Sequence, residues 1–260
     1  MDLLDFKDTT AVVTGGARGI GAATAALLRR CGARAVSLDL SEGCDVTDEA
    51  AVEAAVAYAA EPLGGLHIAV VNAGGGAGGP IFTTTLDVWR YVVDVNLTGA
   101  FLTVKHAGRA IADAGGGSIV AISSIAGALT HRLMAAYCAS KAGLEMLIKV
   151  AADELGALGV RANAVRPGLV PTDLSSPLVA EEEIVADYRA QMPLARLGTP
   201  DDVAAAVRWL AGPESSWVTG QCFAIDGGHT LRRGPNIDPM IARYGGPDAL
   251  AALQPRRRES

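Results

Sequence analysis

The stretch Thr10-Ala11-Val12-Val13-Thr14-Gly15-Gly16-Ala17-Arg18-Gly19-Ile20-Gly21 decides the fold. Its first five residues are small or β-branched without interruption, as a strand buried on both faces requires. Residues 20–31 then read as an alanine- and leucine-rich helix that ends near Gly32. Strand, glycine-rich turn and helix in succession form the opening of a βαβ unit. Glycines let the backbone turn sharply and approach a bound group closely, and the N-terminus of the following helix favours a pyrophosphate. The spacing is G-x-x-x-G-x-G rather than the commoner G-x-G-x-x-G. A glycine-rich turn that serves packing alone would look similar; the strand before it and the helix after it favour binding.

The same alternation continues along the chain. Residues 35–38, 66–71, 118–122, 161–165 and 221–225 read as strands, and residues 48–60, 96–112, 134–158, 181–192 and 200–211 as helices. Short apolar strands alternating with helices define an α/β fold, a single Rossmann-like, doubly wound parallel sheet. No linker or change of composition divides the 260 residues, half of which are apolar, so they suffice for one large core. A net charge of −6 with no basic stripe argues against a nucleic-acid groove. No stretch approaches the length of a membrane span, and the acidic start lacks an apolar signal core. Cys31, Cys44, Cys138 and Cys222, like the four histidines, show no metal-ligand spacing, so no metal is expected and the cysteines read as reduced, in a cytoplasmic protein.

Two further features carry chemistry. Asp39 closes the second strand close to ~20 residues beyond Gly21, the offset at which a carboxylate accepts the adenosine ribose hydroxyls. A carboxylate there repels a ribose 2′-phosphate and favours NAD over NADP, although Arg18 in the turn could contact such a phosphate. Tyr137 and Lys141 are four apart within 134–158, so they share one helix face. A free phenol has a pKa of ~10; a neighbouring ammonium should pull it toward the working range. Ser124 follows the strand at 118–122 and could hold a carbonyl in front of the tyrosine. A surface Tyr and Lys beside an ordinary Ser is the plainer alternative.

With these residues in place, the chain resembles the short-chain dehydrogenase/reductase family in its common single-domain form, from about Lys7 to Gly228. Thr14-Gly15-x-x-x-Gly19-Ile20-Gly21 looks like the family's cofactor turn, Asp45-Val46 is similar to its adenine-contacting pair, and Asn72-Ala73-Gly74 matches its Asn-Ala-Gly. Asn96 resembles the active-site asparagine of its proton relay. Ser124 stands at the family's spacing before Tyr137, and Pro167-Gly168 with Val170 and Thr172 resembles the segment that holds the nicotinamide carboxamide.

The resemblance implies hydride transfer between NAD(H) and a secondary alcohol or ketone. Tyr137 would be general acid or base, Lys141 would depress its pKa and hydrogen-bond the nicotinamide ribose, Ser124 would hold the substrate oxygen, and Asn96 would complete the relay. Arg18, Asp39, Tyr137 and Lys141 would also contact cofactor. A non-catalytic NAD-binding regulator, a dehydratase or epimerase on the same fold, and a 3-oxoacyl-thioester reductase are the alternatives. Leu133, Met134, Leu174, Leu178, Val179, Ile184 and Met192 lie where the family binds substrate and suggest a mainly apolar one. The resemblance also implies a homotetramer or homodimer built through the helices at 96–112 and 134–158, which are apolar over more than one stripe.

Two departures from the family are legible. Only Leu40, Ser41, Glu42, Gly43 and Cys44 separate Asp39 from Asp45, where relatives place a helix and a third strand. Five residues span at most ~18 Å, so that helix and strand should be absent or vestigial, leaving six substantial strands. Beyond the domain of residues 1–230, residues 231–260 form an extension too apolar for a solvated tail, with Ile237, Met240, Ile241, Tyr244, Leu250 and Leu253. It should pack on the active site or a subunit boundary, with a turn of helix at 239–244.

Overall fold

The computed structural model describes residues 6–232 and 237–244. Leu250 and Leu253 lie outside the described residues. Six parallel strands form one sheet in the order β2-β1-β3-β4-β5-β6. They are β1 (Thr10–Thr14), β2 (Arg34–Leu38), β3 (Ile68–Val71), β4 (Gly117–Ile122), β5 (Val160–Pro167) and β6 (Cys222–Ile225). Every residue of β1 and β3 is buried, which is why these strands read as unbroken apolar runs. One core layer packs α1 (Gly19–Arg30) and α8 (Pro200–Ala211) on one face through Ala25, Leu28, Val203 and Val207. On the other, α2 (Glu49–Ala60), α4 (Gly99–Asp113) and α5 (Ala135–Leu155) bury Val52, Val56, Ala107, Leu144 and Ile148.

The strand order reverses between β1 and β3, which places a crevice at their carboxyl ends, where open α/β sheets bind ligands. The short connection after β2 behaves as its length requires. Asp39 leads into a single 3-10 turn, Leu40–Glu42, Gly43 stops it in the left-handed region at φ +85°, and α2 follows. Between β2 and α2 the described residues contain neither a crossover helix nor a further strand.

Other boundaries differ from the sequence reading. A helix missing from that reading, α3 (Leu86–Val93), starts at the Thr85 cap and continues through a π-helical turn, Asp94–Thr98, into α4. Leu86, Trp89, Val92 and Val93 recur at helical spacing after the Thr85 cap, a stripe the sequence reading passed over; of these only Val92 is fully buried, while Leu86 and Trp89 stay exposed. Gly99 lets α4 lie against Val46: a Cβ there would stand 2.8 Å from Val46 Cγ2. The breadth of the apolar surface on α4 and α5 is mostly internal, since Ala100, Val104, Leu144, Ile148 and Ala151 are buried in this chain's own core. The large apolar residues those helices leave exposed are Phe101, Met146 and Val150.

After β5 the chain forms α6 (Ser176–Val179) and α7 (Glu182–Gln191); after β6 it forms α9 (Asp238–Tyr244). Ile237 and Ile241 are buried in a third cluster with Ile125, Leu169, Ile184, Tyr188 and Met192. Arg243 ion-pairs with Glu181 at the start of α7, and Arg232 Nη1 donates to the Ala190 carbonyl at 2.6 Å.

Candidate active site

The glycine turn is built from both strands that flank the crevice. Gly15 (φ +62°) and Gly19 (φ +56°) adopt left-handed backbone that side chains rarely tolerate. The Thr14 hydroxyl accepts from the Asn72 and Ala73 amides at 2.9 and 3.1 Å, tying the end of β1 to the end of β3. The Asn72 side-chain amide donates to the Thr14 and Gly15 carbonyls at 2.9 and 3.0 Å. Asn72 therefore braces the cradle. A Cβ on Gly21 would lie 2.2 Å from Gly15 O, so this position has no room for one. The start of α1 has no acidic first-turn residue, and no described side chain caps it. Left-handed glycines, close backbone approach and an uncapped helix N-terminus fit a pyrophosphate. Ile20 sits in the first turn of α1 and packs on the core beneath.

The acid at the end of β2 is part of this cradle. The Asp39 carboxylate accepts from Ala17 N–H at 3.3 Å, Ser41 N–H at 3.0 Å and the Ser41 hydroxyl at 2.8 Å. Burial pushes its pKa up, but the Ser41 and Ala17 hydrogen bonds and the Arg18 charge outweigh that and hold it below the ordinary value. Arg18 reaches across to Asp173 at 3.3 Å, an exposed pair that bridges the turn to the segment after β5. In that segment Gly168 packs on Asp226, Val170 is buried, and the Thr172 methyl faces Gly19; Pro167 is the last residue of β5. Asp45 is engaged locally, accepting from the Thr47 amide and hydroxyl at 2.9 and 2.8 Å, and Val46 is buried.

Ser124, Tyr137, Lys141 and Asn96 converge beside the crevice. Ser124 caps a 3-10 turn, Ile125–Gly127, accepting from Ala126 N–H at 3.1 Å, and its hydroxyl is near enough to the Tyr137 phenol to favour the phenolate. Lys141 Nζ lies 5.7 Å from the centre of the Tyr137 ring and donates to the Ile122 carbonyl at 2.8 Å. Asn96 is fully buried on the π-helical turn; its amide pairs with both backbone groups of Gly75 and donates to the Ser140 hydroxyl at 3.1 Å. Ser140 in turn donates to the Tyr137 carbonyl. Gly74 separates Asn96 from Lys141: a Cβ there would lie 3.2 Å from Asn96 Oδ1 and 3.6 Å from Lys141 Nζ.

The electrostatics of this group correct one sequence expectation. Burial pushes the Tyr137 phenol above its ordinary value, opposed by the Ser124 hydrogen bond. Burial also brings the Lys141 ammonium down to about 8, with Glu145 opposing. Helical spacing brings Lys141 next to Tyr137, but its ammonium points to the strand carbonyl, so the chain's own groups leave the phenol high. Glu145, Arg166, Ser140, Asp173 and Tyr188 are the neighbours that the motif reading missed. Of the apolar substrate-side residues, Ile184 and Met192 are core, Leu133, Leu178 and Val179 are half-buried against that core, and Leu174 is exposed. Among the described residues no group of three or more His, Cys, Asp or Glu side chains could hold a metal ion, and no helix is long and apolar enough to cross a membrane.

The crevice at the switch point and the hydroxyl-rich group beside it define a class, the nicotinamide-dependent oxidoreductases of Rossmann-like fold. Residues 41–230 match the family profile described as enoyl-(acyl carrier protein) reductase. The chain is 40% identical over 245 residues to cis-4-hydroxycyclohexanecarboxylate dehydrogenase of Sinomonas cyclohexanicum, covering 86% of this chain and 98% of that one. It is 36% identical over 250 residues to cyclohexanol dehydrogenase of Acinetobacter sp. (strain SE19), covering 87% and 97%. A solved short-chain dehydrogenase/reductase from Mycobacterium ulcerans superposes with a TM-score of 0.91 at 38% identity over 96% of this chain and 100% of that one. The protein belongs to the short-chain dehydrogenase/reductase family.

Proposed function

We propose that the protein transfers a hydride between NAD(H) and a mainly apolar secondary alcohol or ketone. The observation that carries this reading is the convergence of Ser124, Tyr137 and Lys141, with Lys141 Nζ 5.7 Å from the centre of the Tyr137 ring, at the carboxyl end of the sheet beside the glycine cradle. A bound nicotinamide supplies the hydride donor or acceptor. Tyr137 takes or gives the proton of the substrate oxygen at its phenol oxygen. Ser124, beside that phenol, holds the same substrate oxygen and stabilises charge that develops on it. Lys141 would hold the nicotinamide ribose, and Asn96 keeps the π-helical turn and the Gly74-Gly75 wall in register with them. Gly15, Gly19, Ile20 and Gly21 cradle the pyrophosphate. Asp45, Val46, Asn72, Ala73 and Gly74 line the adenine and ribose side, and Pro167, Gly168, Val170 and Thr172 the carboxamide side.

NAD is the cofactor because Asp39 is anionic at the end of β2 while Arg18, the nearest cation, is already paired with Asp173. Residues 1–230 form the catalytic domain. The segment at 237–244 belongs to the substrate side, where Ile237 and Ile241 brace α7. Phe101, Met146 and Val150 mark the face through which α4 and α5 pair in a homodimer or homotetramer, and the protein works in the cytoplasm. The test is NADH formation with a panel of cyclic and open-chain secondary alcohols. Turnover of at least one is expected; cofactor binding without turnover of any alcohol or ketone in the panel would favour a regulator and overturn the reading.

A further inference from the structure

Beneath the Ser124–Tyr137–Lys141 group lies a carboxylate that none of these roles uses. Glu145 follows Lys141 by one turn of α5 and is buried. Its Oε1 accepts from the Ser123 hydroxyl at 2.8 Å and from Arg166 Nε at 2.6 Å, and its Oε2 accepts from Arg166 Nη2. The Cys222 thiol on β6 faces the same carboxylate, and burial and the Glu145 charge together raise it above its ordinary value. Gly127, last residue of the turn that Ser124 caps, lies flat against it: a Cβ there would stand 2.5 Å from Glu145 Oε1 and 3.0 Å from Ser123 Oγ. One carboxylate thus touches the end of β4 that leads into Ser124, the turn after Ser124, the end of β5, and β6. It sits on the helix that carries Tyr137 and Lys141.

A buried ion pair is a poor source of stability compared with apolar residues of similar volume, and its best-attested use is to hold one arrangement against others. Here the arrangement held is the approach of a β4 residue to an α5 residue. Backbone bonds alone leave Ser124 at the mouth of a loop; the Ser123 amide is tied to Val165 O at 2.8 Å, and the Ser123 side chain is tied to Glu145.

We propose that Glu145 is a positioning residue for the reaction, fixing the Ser124 hydroxyl against the Tyr137 phenol through Ser123, Gly127 and Arg166. This rests on the reading of Tyr137 as the proton-exchanging group. The titratable groups that face Tyr137 are Cys138 and Lys141 on its own helix and Tyr188 on α7, with the Ser124 hydroxyl approaching from the end of β4. Loosening Ser124 removes the hydrogen bond that opposes burial, so the phenol should titrate at still higher pH.

The experiment uses Ser123→Ala, Gly127→Ala and the charge-neutral double variant Glu145→Gln/Arg166→Gln in the full chain. Four quantities are read: unfolding midpoint, NADH affinity by fluorescence, kcat and KM with an alcohol that the wild type turns over, and Tyr137 ionisation. The last is the ultraviolet titration of each protein minus that of the same protein carrying Tyr137→Phe. The expected result is a fall in kcat of about tenfold or more with NADH affinity and KM within about twofold, and an alkaline displacement of the Tyr137 titration. If the double variant fails to fold, Ser123→Ala, which deletes one hydroxyl, decides. If the wild type turns over no alcohol, the titration still decides: an alkaline displacement supports the positioning role while the reaction assignment falls. An unchanged Tyr137 titration in folded variants overturns the proposal, whatever the activity, as does kcat within about twofold of wild type.

Discussion

Asp39→Asn isolates the charge that sets cofactor choice. The native carboxylate is held by Ala17 and Ser41 and kept below its ordinary pKa of 3.8, so it is anionic at neutral pH. A ribose 2′-phosphate brought to the place of the ribose hydroxyls would set like charges about 4 Å apart. That repulsion is about 1 kcal/mol in bulk water and about 4 kcal/mol at an effective dielectric of 20. Asp39 is partly exposed, so solvent screening moves the value toward the lower end, about 2 kcal/mol or roughly 30-fold in kcat/KM. Asparagine keeps an acceptor for the Ser41 amide, and with it the cap on the Leu40–Glu42 turn, while removing the charge. The assay is kcat/KM for NAD and NADP in parallel on wild type and variant. The wild type should prefer NAD, and the preference should shrink by roughly 30-fold, mainly through a gain with NADP. A wild type that prefers NADP would refute the reasoning, because Arg18 would then outweigh Asp39 despite its pairing with Asp173.

Gly21→Ala should abolish measurable NADH affinity and lower stability by about 1–3 kcal/mol, since the added methyl meets the Gly15 carbonyl oxygen and Asn72 amide, neither of which can yield; NADH titration and urea unfolding check it, and native values in both would contradict it. The Asp202 carboxyl is held far below 3.8, first by the Arg196 hydrogen bonds, against the cost of burial, and then by Thr199, within the capping box of α8. Its folded pKa lies below its unfolded one, so the stability it contributes is fully present above about pH 4 and is lost as pH falls through the folded value. Asp202→Asn should therefore lower the Tm at pH 7 and flatten its acid dependence; parallel pH–Tm curves for variant and wild type would contradict this.

Much of the fold was legible because the central strands β1, β3 and β4 are buried on both faces and so write themselves as short apolar runs. The short Asp39–Asp45 connection was legible from chain length alone. Helix α3 was legible too, from Leu86, Trp89, Val92 and Val93 at helical spacing behind the Thr85 cap, but at eight residues running into the next helix its separate start was passed over. Spacing brought Tyr137 and Lys141 onto one face, but a four-residue offset carries no information on where an ammonium points; the Ile122 carbonyl decides that. Likewise Asn72 in a motif shows that an amide is present, and only the geometry shows that it donates to Thr14 and Gly15. The Glu145–Arg166 pair joins a helix to a strand, beyond the reach of any local pattern. Its one sequence signal is the charge at Arg166, set between Val165 and Pro167 where the strand is buried, which demands a partner.

The most direct test of the central claim is NADH formation from one turned-over secondary alcohol by wild type and Tyr137→Phe side by side, with NADH affinity measured on both. The variant keeps the ring and loses the proton-exchanging oxygen. A fall in kcat of about a hundredfold or more, with NADH affinity retained, is expected. A variant that turns over at close to the wild-type rate would contradict the assignment of Tyr137 and the mechanism built on it.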